Sequence, residues 1–242
     1  MKTVILMTAS INPNGMSNTA VQNIEIRKSQ YVEAVSYYLS TTVFPIVFVE
    51  NTGYDISCLF GKEIQAGRLE VIVYKGNDFD RNRGKGYGEG LIIRNAFEKS
   101  KLLCEKCTVI KISGRHIVKN IKSIWRILNL WHIPNHFVAC DINPKVKKAN
   151  SDMFIASTDF FDNLGGWTER INEEHGVWFE HILYNAIMDY CNIKGIFIYL
   201  PLPLNQVGVS GSTGIQFIQP PKNLYLKHII KFVLYKVGII KL

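Results

Sequence analysis

The chain has no uninterrupted apolar run of the roughly 18 residues that a membrane-spanning helix needs, which argues against such a span. Its first apolar run, with Val4 to Met7 as its core, gives way at once to Thr8, Ser10 and Asn12. That is the length of a buried strand rather than of a secretory leader, and a cytoplasmic location is expected. Cysteine is sparse and odd in number: Cys58, Cys104, Cys107, Cys140 and Cys191 are scattered. Cys104 and Cys107 make one C-x-x-C with no second pair, which argues against a structural zinc site. The pair stands before a strand rather than at a helix start, which argues against thioredoxin-like chemistry. Reduced thiols are the expectation. Repeats and low-complexity stretches are lacking, so solenoids and disordered tails are excluded. Acidic residues are outnumbered, 20 against 28 basic, giving a formal charge of +8. Such a balance suits nucleic acid, an anionic membrane or a phosphorylated substrate, and charge alone does not choose.

What is present is an alternation. Short apolar runs occur near Val4–Thr8, Ile46–Val49, Leu69–Tyr74, Thr108–Ile112, His136–Cys140, Met153–Ala156 and Gly195–Leu200. Between them Ser29–Ser40, Tyr87–Lys101, Ile117–Leu130 and Val177–Tyr190 carry helical period, and a further helical segment starts at Asp159. Strands alternating with helices in 242 residues imply an α/β fold, a mostly parallel sheet flanked by helices. From Pro201 the pattern breaks into Pro201-Leu-Pro-Leu204, Gly208-Val-Ser-Gly-Ser-Thr-Gly214 and Pro220-Pro221, read as a mobile loop and linker. The following tail is apolar and punctuated by Lys227, Lys231, Lys236 and Lys241. Wound as a helix, three of these lysines share one side and Lys236 falls opposite. Such a segment is expected to lie in an anionic membrane interface; the alternative is a terminal helix packed on the domain.

In open α/β sheets ligands bind beyond the carboxyl ends of the strands. Three junctions there combine small and polar residues: Thr8-Ala9-Ser10, Glu50-Asn51 and Lys111-Ile-Ser-Gly-Arg115. Lys111 belongs to an otherwise apolar strand, where an ammonium needs an anion: a ligand phosphate or carboxylate, or a structural partner such as Glu50 or Glu89. Arg115 can grip phosphate bidentately. The loop Arg81-Asn-Arg-Gly-Lys-Gly-Tyr-Gly-Glu89 adds closely spaced glycines and cations ahead of a helix, a phosphate signal that lacks the Gly-Lys-Ser/Thr of a P-loop. Asp141, Glu173, Glu174 and Glu180 are the carboxylates available to take a proton, and helix capping or dipole pairing competes for each of them.

Together Met7-Thr-Ala-Ser-Ile-Asn-Pro13, Phe48-Val-Glu-Asn-Thr-Gly53, Lys85-Gly-Tyr-Gly-Glu89, Lys111-Ile-Ser-Gly-Arg115 and the Glu180-His181 helix resemble small bacterial glycosyltransferases of O-antigen and capsule synthesis. The resemblance runs over most of residues 1–200. It implies a GT-A-like, Rossmann-like nucleotide-binding core and transfer of a sugar from a nucleotide-diphosphate donor, such as a UDP-sugar, to a lipid-linked or oligosaccharide acceptor. Residues 1–200 are then the catalytic domain, the break in pattern makes 201–222 the linker, and 223–242 is expected as a basic amphipathic segment holding the protein on the inner membrane face. Donor contacts are then Thr8, Ala9, Ser10, Glu50, Asn51, Lys85, Gly86, Glu89, Lys111, Ser113, Gly114 and Arg115, with Glu180, Glu174, Glu173 or Asp141 as catalytic carboxylate. One departure stands out. The Asp-x-Asp metal motif expected after a central strand is replaced by Ser113-Gly-Arg115, while Asp78-Phe-Asp80 lies several residues beyond its strand. Lys111 and Arg115 would then do the work of a divalent cation, although Mg2+ or Mn2+ stays open. The rival readings are a nucleotidyltransferase or other nucleotide-binding enzyme and a basic nucleic-acid-binding protein with Tyr87 and Trp125 as stacking residues. No nucleic-acid motif supports the latter.

Overall fold

A computed structural model describes residues 2–239 except 17, 104, 105 and 212; Cys104 of the C-x-x-C pair and the last lysine of the tail lie outside the described residues. In chain order the elements begin with β1 (Lys2–Ala9), α1 (Ile24–Thr41), β2 (Ile46–Glu50), α2 (Gly61–Gln65), β3 (Leu69–Val73), α3 (Lys85–Lys99) and β4 (Cys107–Ser113). They continue with β5 (Ile117–Val118), α4 (Ile121–Leu130), β6 (Phe137–Cys140), β7 (Ile142–Asn143), β8 (Lys148–Ala149) and β9 (Met153–Ser157). The last are α5 (Thr158–Thr168), α6 (Phe179–Ile193), β10 (Ile196–Tyr199), β11 (Gln206–Val207) and α7 (Lys222–Lys236). Among the described residues no helix is long and apolar enough to cross a membrane.

Seven strands form one sheet in the order β10-β6-β9-β4-β1-β2-β3, parallel except for β9, which runs against both of its neighbours. Helices cover both faces, so the strands read as continuous apolar runs rather than as alternating ones. Val4 to Met7 of β1 are fully buried, and each such side chain contributes about 1.5–3 kcal/mol relative to exposure. Val4, Leu6 and Val109 pack with residues of α3, α5 and α6. Ile5, Met7, Ile110 and Ile112 pack with residues of α1 and α4 on the other face. The expected α/β class with a mostly parallel sheet is therefore the one adopted.

The chain builds β1, β2 and β3 outward on one side and then returns to place β4 on the other side of β1. The order reverses between β1 and β4, and that switch point is where a crevice opens at the carboxyl ends of parallel strands. Gly114 closes the junction. Its N–H donates to the Thr8 carbonyl at 2.9 Å, and a Cβ there would stand 2.4 Å from that same oxygen.

Two segments differ from the sequence reading. The helix expected over Ile117–Leu130 begins at Ile121, and Ile117–Val118 is β5, paired with β11. Tyr38 explains this: its hydroxyl donates to the His116 carbonyl and accepts from the Val118 N–H, both at 2.8 Å, holding that stretch extended. Ile121, Ile124 and Leu128 are buried as their spacing requires, while Lys119, Lys122 and Arg126 are solvated surface. Residues 201–222, expected as a loop, include β11 and a stretch that crosses the crevice. There the Ala20 N–H donates to the Gly211 carbonyl at 3.1 Å, and the Phe217 ring meets the His116 ring edge-on at 5.0 Å.

Candidate active site

The crevice at the β1/β4 switch point is lined by Thr8, Ala9 and Ser10 from the end of β1, Asn51 after β2, and Ser113, Gly114 and Arg115 after β4. Lys85, Gly86 and Glu89 of α3 and Glu180 of α6 complete it, with Glu173 from the turn before α6. Ten of the twelve expected donor contacts thus share one wall-to-wall site, and two do not.

The two exceptions, Glu50 and Lys111, are buried beneath it. The Glu50 carboxylate accepts from the backbone N–H of Ile11 at 2.8 Å and of Thr52 and Tyr54 at 2.9 Å, tying the β1 loop to the β2 loop. It is spent on loop geometry rather than on a ligand. Lys111 shares the face of Val109, since side chains alternate along β4, and its ammonium pairs with Glu89. The same ammonium donates to the Ser151 carbonyl at 2.6 Å, and Thr8 Oγ1 donates to Glu89 at 3.1 Å. Of the two partners that the sequence offered Lys111, ligand anion and structural carboxylate, the geometry selects Glu89. Lys111 therefore fixes Glu89 at the crevice wall.

The glycine-rich loop likewise holds an anion of its own. Gly86 N–H, at the first turn of α3, donates to Glu173 Oε1 at 2.8 Å. A Cβ on Gly84 would stand 2.2 Å from the Glu173 carboxyl carbon, and one on Gly86 would stand 2.9 Å from Oε1. These glycines make room for a carboxylate, and α3, which has no side-chain N-cap, is capped by it. Arg83 turns away to Glu169 at 3.0 Å, leaving Lys85 as the cation of that loop in the crevice wall.

The four candidate carboxylates separate. Glu173 and Glu180 line the crevice; Glu174 and Asp141 do not. Glu174 is exposed, and Asp141 borders a different cavity beside Lys231. Glu180 accepts from Ser151 Oγ at 3.0 Å. Burial pushes the Glu173 carboxyl up; the Gly86 N–H and Lys85 offset part of this, while the negative charge of Glu180 adds to it. The Asn18 side chain also lowers it, and among the described residues Glu173 Oε2 is buried with no partner at hydrogen-bond geometry. A carboxylate whose pKa is raised by burial is suited to accepting a proton.

Several lining residues escaped the sequence reading, and Arg27 is the most consequential. It is 5% exposed and lies on the same side of α1 as Tyr31, Ala34, Val35 and Tyr38. A charge on an apolar helix face was the available signal. Its Nε donates to the Ser10 carbonyl at 2.9 Å and its NH1 to the Val21 carbonyl at 3.2 Å. Arg115 is 9% exposed, and its NH1 donates to Gln30 Oε1 at 3.1 Å. Among the described residues neither guanidinium forms an ion pair with a carboxylate. Burial pulls the Arg115 pKa down, and the charge of Arg27 pulls the same way against attraction by Tyr31 and Asp152. Two buried like charges in one crevice are costly until an anion joins them. Asp152 was missed as well. It lines the crevice with its Oδ1 3.5 Å from His116 Nδ1; burial raises its carboxyl, but His116, Gln206 and Lys111 outweigh that and leave it lowered.

Among the described residues no three His, Cys, Asp or Glu side chains gather as a metal cluster. Asp78 and Asp80 are exposed, and Asp80 Oδ1 accepts from the Asn82 N–H at 3.0 Å instead. The position after β4 holds a guanidinium, which repels a cation.

No protein-family model and no curated protein matches the sequence. Among solved structures the chain is similar to a glycosyltransferase involved in glycosylation of the PBCV-1 major capsid, with 11% identity, coverage of 96% of this chain and 92% of that one, and a TM-score of 0.46. Mouse xyloside xylosyltransferase 1 gives 11%, 83%, 85% and 0.44 in the same order. The inositol-1-phosphate CTP transferase of T. maritima gives 12%, 96%, 96% and 0.44. Likenesses this distant decide neither substrate nor reaction, which rest on the residues of the crevice.

Proposed function

We propose that the chain is a glycosyltransferase that takes a nucleotide-diphosphate sugar, a UDP-sugar in the first instance, into the switch-point crevice. The observation that carries this reading is the pair of buried guanidiniums, Arg27 and Arg115, in one crevice wall and without carboxylate partners among the described residues. A diphosphate supplies the missing negative charge, and the arginines stabilise it as it leaves. Transfer then needs a base. The acceptor hydroxyl oxygen bonds to the anomeric carbon, the bond from that carbon to the diphosphate oxygen breaks, and its electron pair leaves with the phosphate. The hydroxyl proton goes to Glu173 Oε2, with Glu180 alongside. The acceptor is a lipid-linked glycan in surface polysaccharide synthesis, and residues 223–242 hold the protein peripherally on the inner membrane face.

The test is a thermal-shift titration with UDP, GDP, CMP and ADP, each with and without Mn2+, followed by Arg27→Ala and Arg115→Ala. Selective stabilisation by UDP without metal, lost in both variants, is the expected result. No response to any nucleotide would sink the reading. Stabilisation by CTP in a parallel titration, with pyrophosphate released from CTP as a sugar phosphate attacks its α-phosphorus, would instead assign nucleotidyl transfer.

A further inference from the structure

The helix α7 has two different sides. Phe232 is buried on the domain, the Tyr235 ring packs on those of Phe197 and Tyr199 at 5.7 and 5.2 Å, and His228 reaches the Leu200 carbonyl. At 3.6 residues per turn, Leu226, Ile230 and Val237 fall on the opposite side. They are 59%, 47% and 56% exposed. The same winding places Lys222 and Lys236 along one margin of this apolar stripe and Lys227 and Lys231 along the other. Next to Lys231 lies the hairpin of β7 and β8. Lys145 and Lys148 line a shallow cavity together with Lys231, Asp141, Asn143 and Asn150. Residues 143–148 are all exposed, including Lys147, and Val146 is 53% exposed.

We infer that the outer side of α7 and the β7–β8 hairpin form one docking surface for a bilayer containing anionic phospholipid. Leu226, Ile230, Val237 and Val146 enter the interface, and Lys145 and Lys148 take the lipid phosphates, while Lys231 Nζ lies over the Tyr199 ring at 3.9 Å and joins the hairpin to α7. Charge complementarity selects this occupant. Lysines on both margins of an apolar stripe can extend their stems along it and leave their ammoniums at headgroup level, and a cluster of lysines lies on the adjoining hairpin. The inference rests on the membrane placement of residues 223–242 proposed above, and it adds the hairpin. The surface adjoins the crevice: Asn150 lines the lysine cavity and the next residue, Ser151, lines the crevice beside Glu180.

The experiment is co-sedimentation of the full chain with phosphatidylcholine vesicles, with and without phosphatidylglycerol, at low and high salt. Two variants accompany the wild type, L226E/I230E/V237E and K145A/K147A/K148A, each checked for an unchanged cooperative melt. Wild type is expected to bind the phosphatidylglycerol vesicles at low salt only. The hairpin variant should bind about tenfold or more weakly, and the α7 variant should not bind. A hairpin variant that binds like wild type overturns the joint surface and leaves the tail reading standing. Wild type that ignores phosphatidylglycerol, or prefers neither lipid, overturns both. A dimer that the α7 substitutions dissociate overturns the inference by assigning the stripe to a second copy. The nucleotide titration is read separately, so none of these results decides the transferase reading.

Discussion

At the scale of single residues, Glu173 is the most informative. Its carboxyl is raised because it is buried and faces Glu180, so protonation is easier in the native state than in the unfolded chain. Below the ordinary carboxylate range both states are protonated and nothing is lost. As pH rises through that range the unfolded chain ionises first, and the native state loses stability until Glu173 itself ionises. Glu173→Gln is therefore expected to melt higher than wild type at neutral pH, with the difference vanishing in acid; equal melting temperatures at both ends would contradict the burial. The same substitution should lower kcat by about 10²–10⁴, with Glu174→Gln and Asp141→Asn within about twofold of wild type. Glu180→Gln removes the neighbouring charge and should shift the acid limb of the rate profile downward. Gly114 makes a different point. The Thr8 carbonyl is backbone and cannot step aside for a Cβ, so Gly114→Ala should cost about 1–3 kcal/mol in denaturant unfolding.

Among the elements, α1, α3 and α7 each carry a feature that their own composition leaves undecided. Asn23 caps α1 by accepting from the Ile26 N–H at 3.0 Å, and the period that follows buries Arg27 with the apolar face. The cap of α3 is supplied by Glu173, 87 residues away in sequence. For α7 the docking residue is Phe232, 2% exposed against the sheet edge, with the Trp131 ring edge-on at 5.5 Å. Phe232→Ala is expected to weaken the attachment of α7 by about 3–5 kcal/mol. Hydrogen exchange should show this as faster amides across residues 224–236 with unchanged protection in β1 and β4. Slow exchange in α7 of that variant would show that other contacts hold the helix.

For the whole molecule, one sheet with helices on both faces leaves its ligand-binding edge to the loops at the carboxyl ends of the parallel strands, and the long chain return to β4 creates the crevice. Because the crevice-lining residues come from β1, α1, α3, β4 and α6 together, a donor bound there should stabilise the fold globally. At a concentration of UDP about 100 times its Kd, linkage gives about 2.7 kcal/mol, which for a chain of this size raises the melting temperature by about 5–10 °C. A shift confined to one part of a split transition would mean that the crevice and the sheet do not unfold together. The net charge of +8 is also a whole-molecule property. In the proposed docking it would act over a range set by salt, whereas the α7 and hairpin side chains would set the orientation on arrival.

The seven sheet strands, the helices that carry strong period and the junctions at Thr8, Asn51 and Ser113–Arg115 were all legible in the sequence, because apolar period and turn chemistry are local properties. Their meeting in one crevice follows from the strand order, which non-local pairing sets. Whether Lys111 met a ligand or Glu89, and whether the glycine loop waited for a phosphate or already held Glu173, were open in the sequence, since a charge's partner is chosen across layers of the fold. Arg27 was hidden for the same reason: on an isolated helix it is a surface cation, and only packing α1 against the sheet buries it without a carboxylate. Residue types and their spacing determined which groups were available. The tertiary structure decided which were consumed in holding the fold and which were left to bind, because desolvation and pairing depend on neighbours distant in the chain.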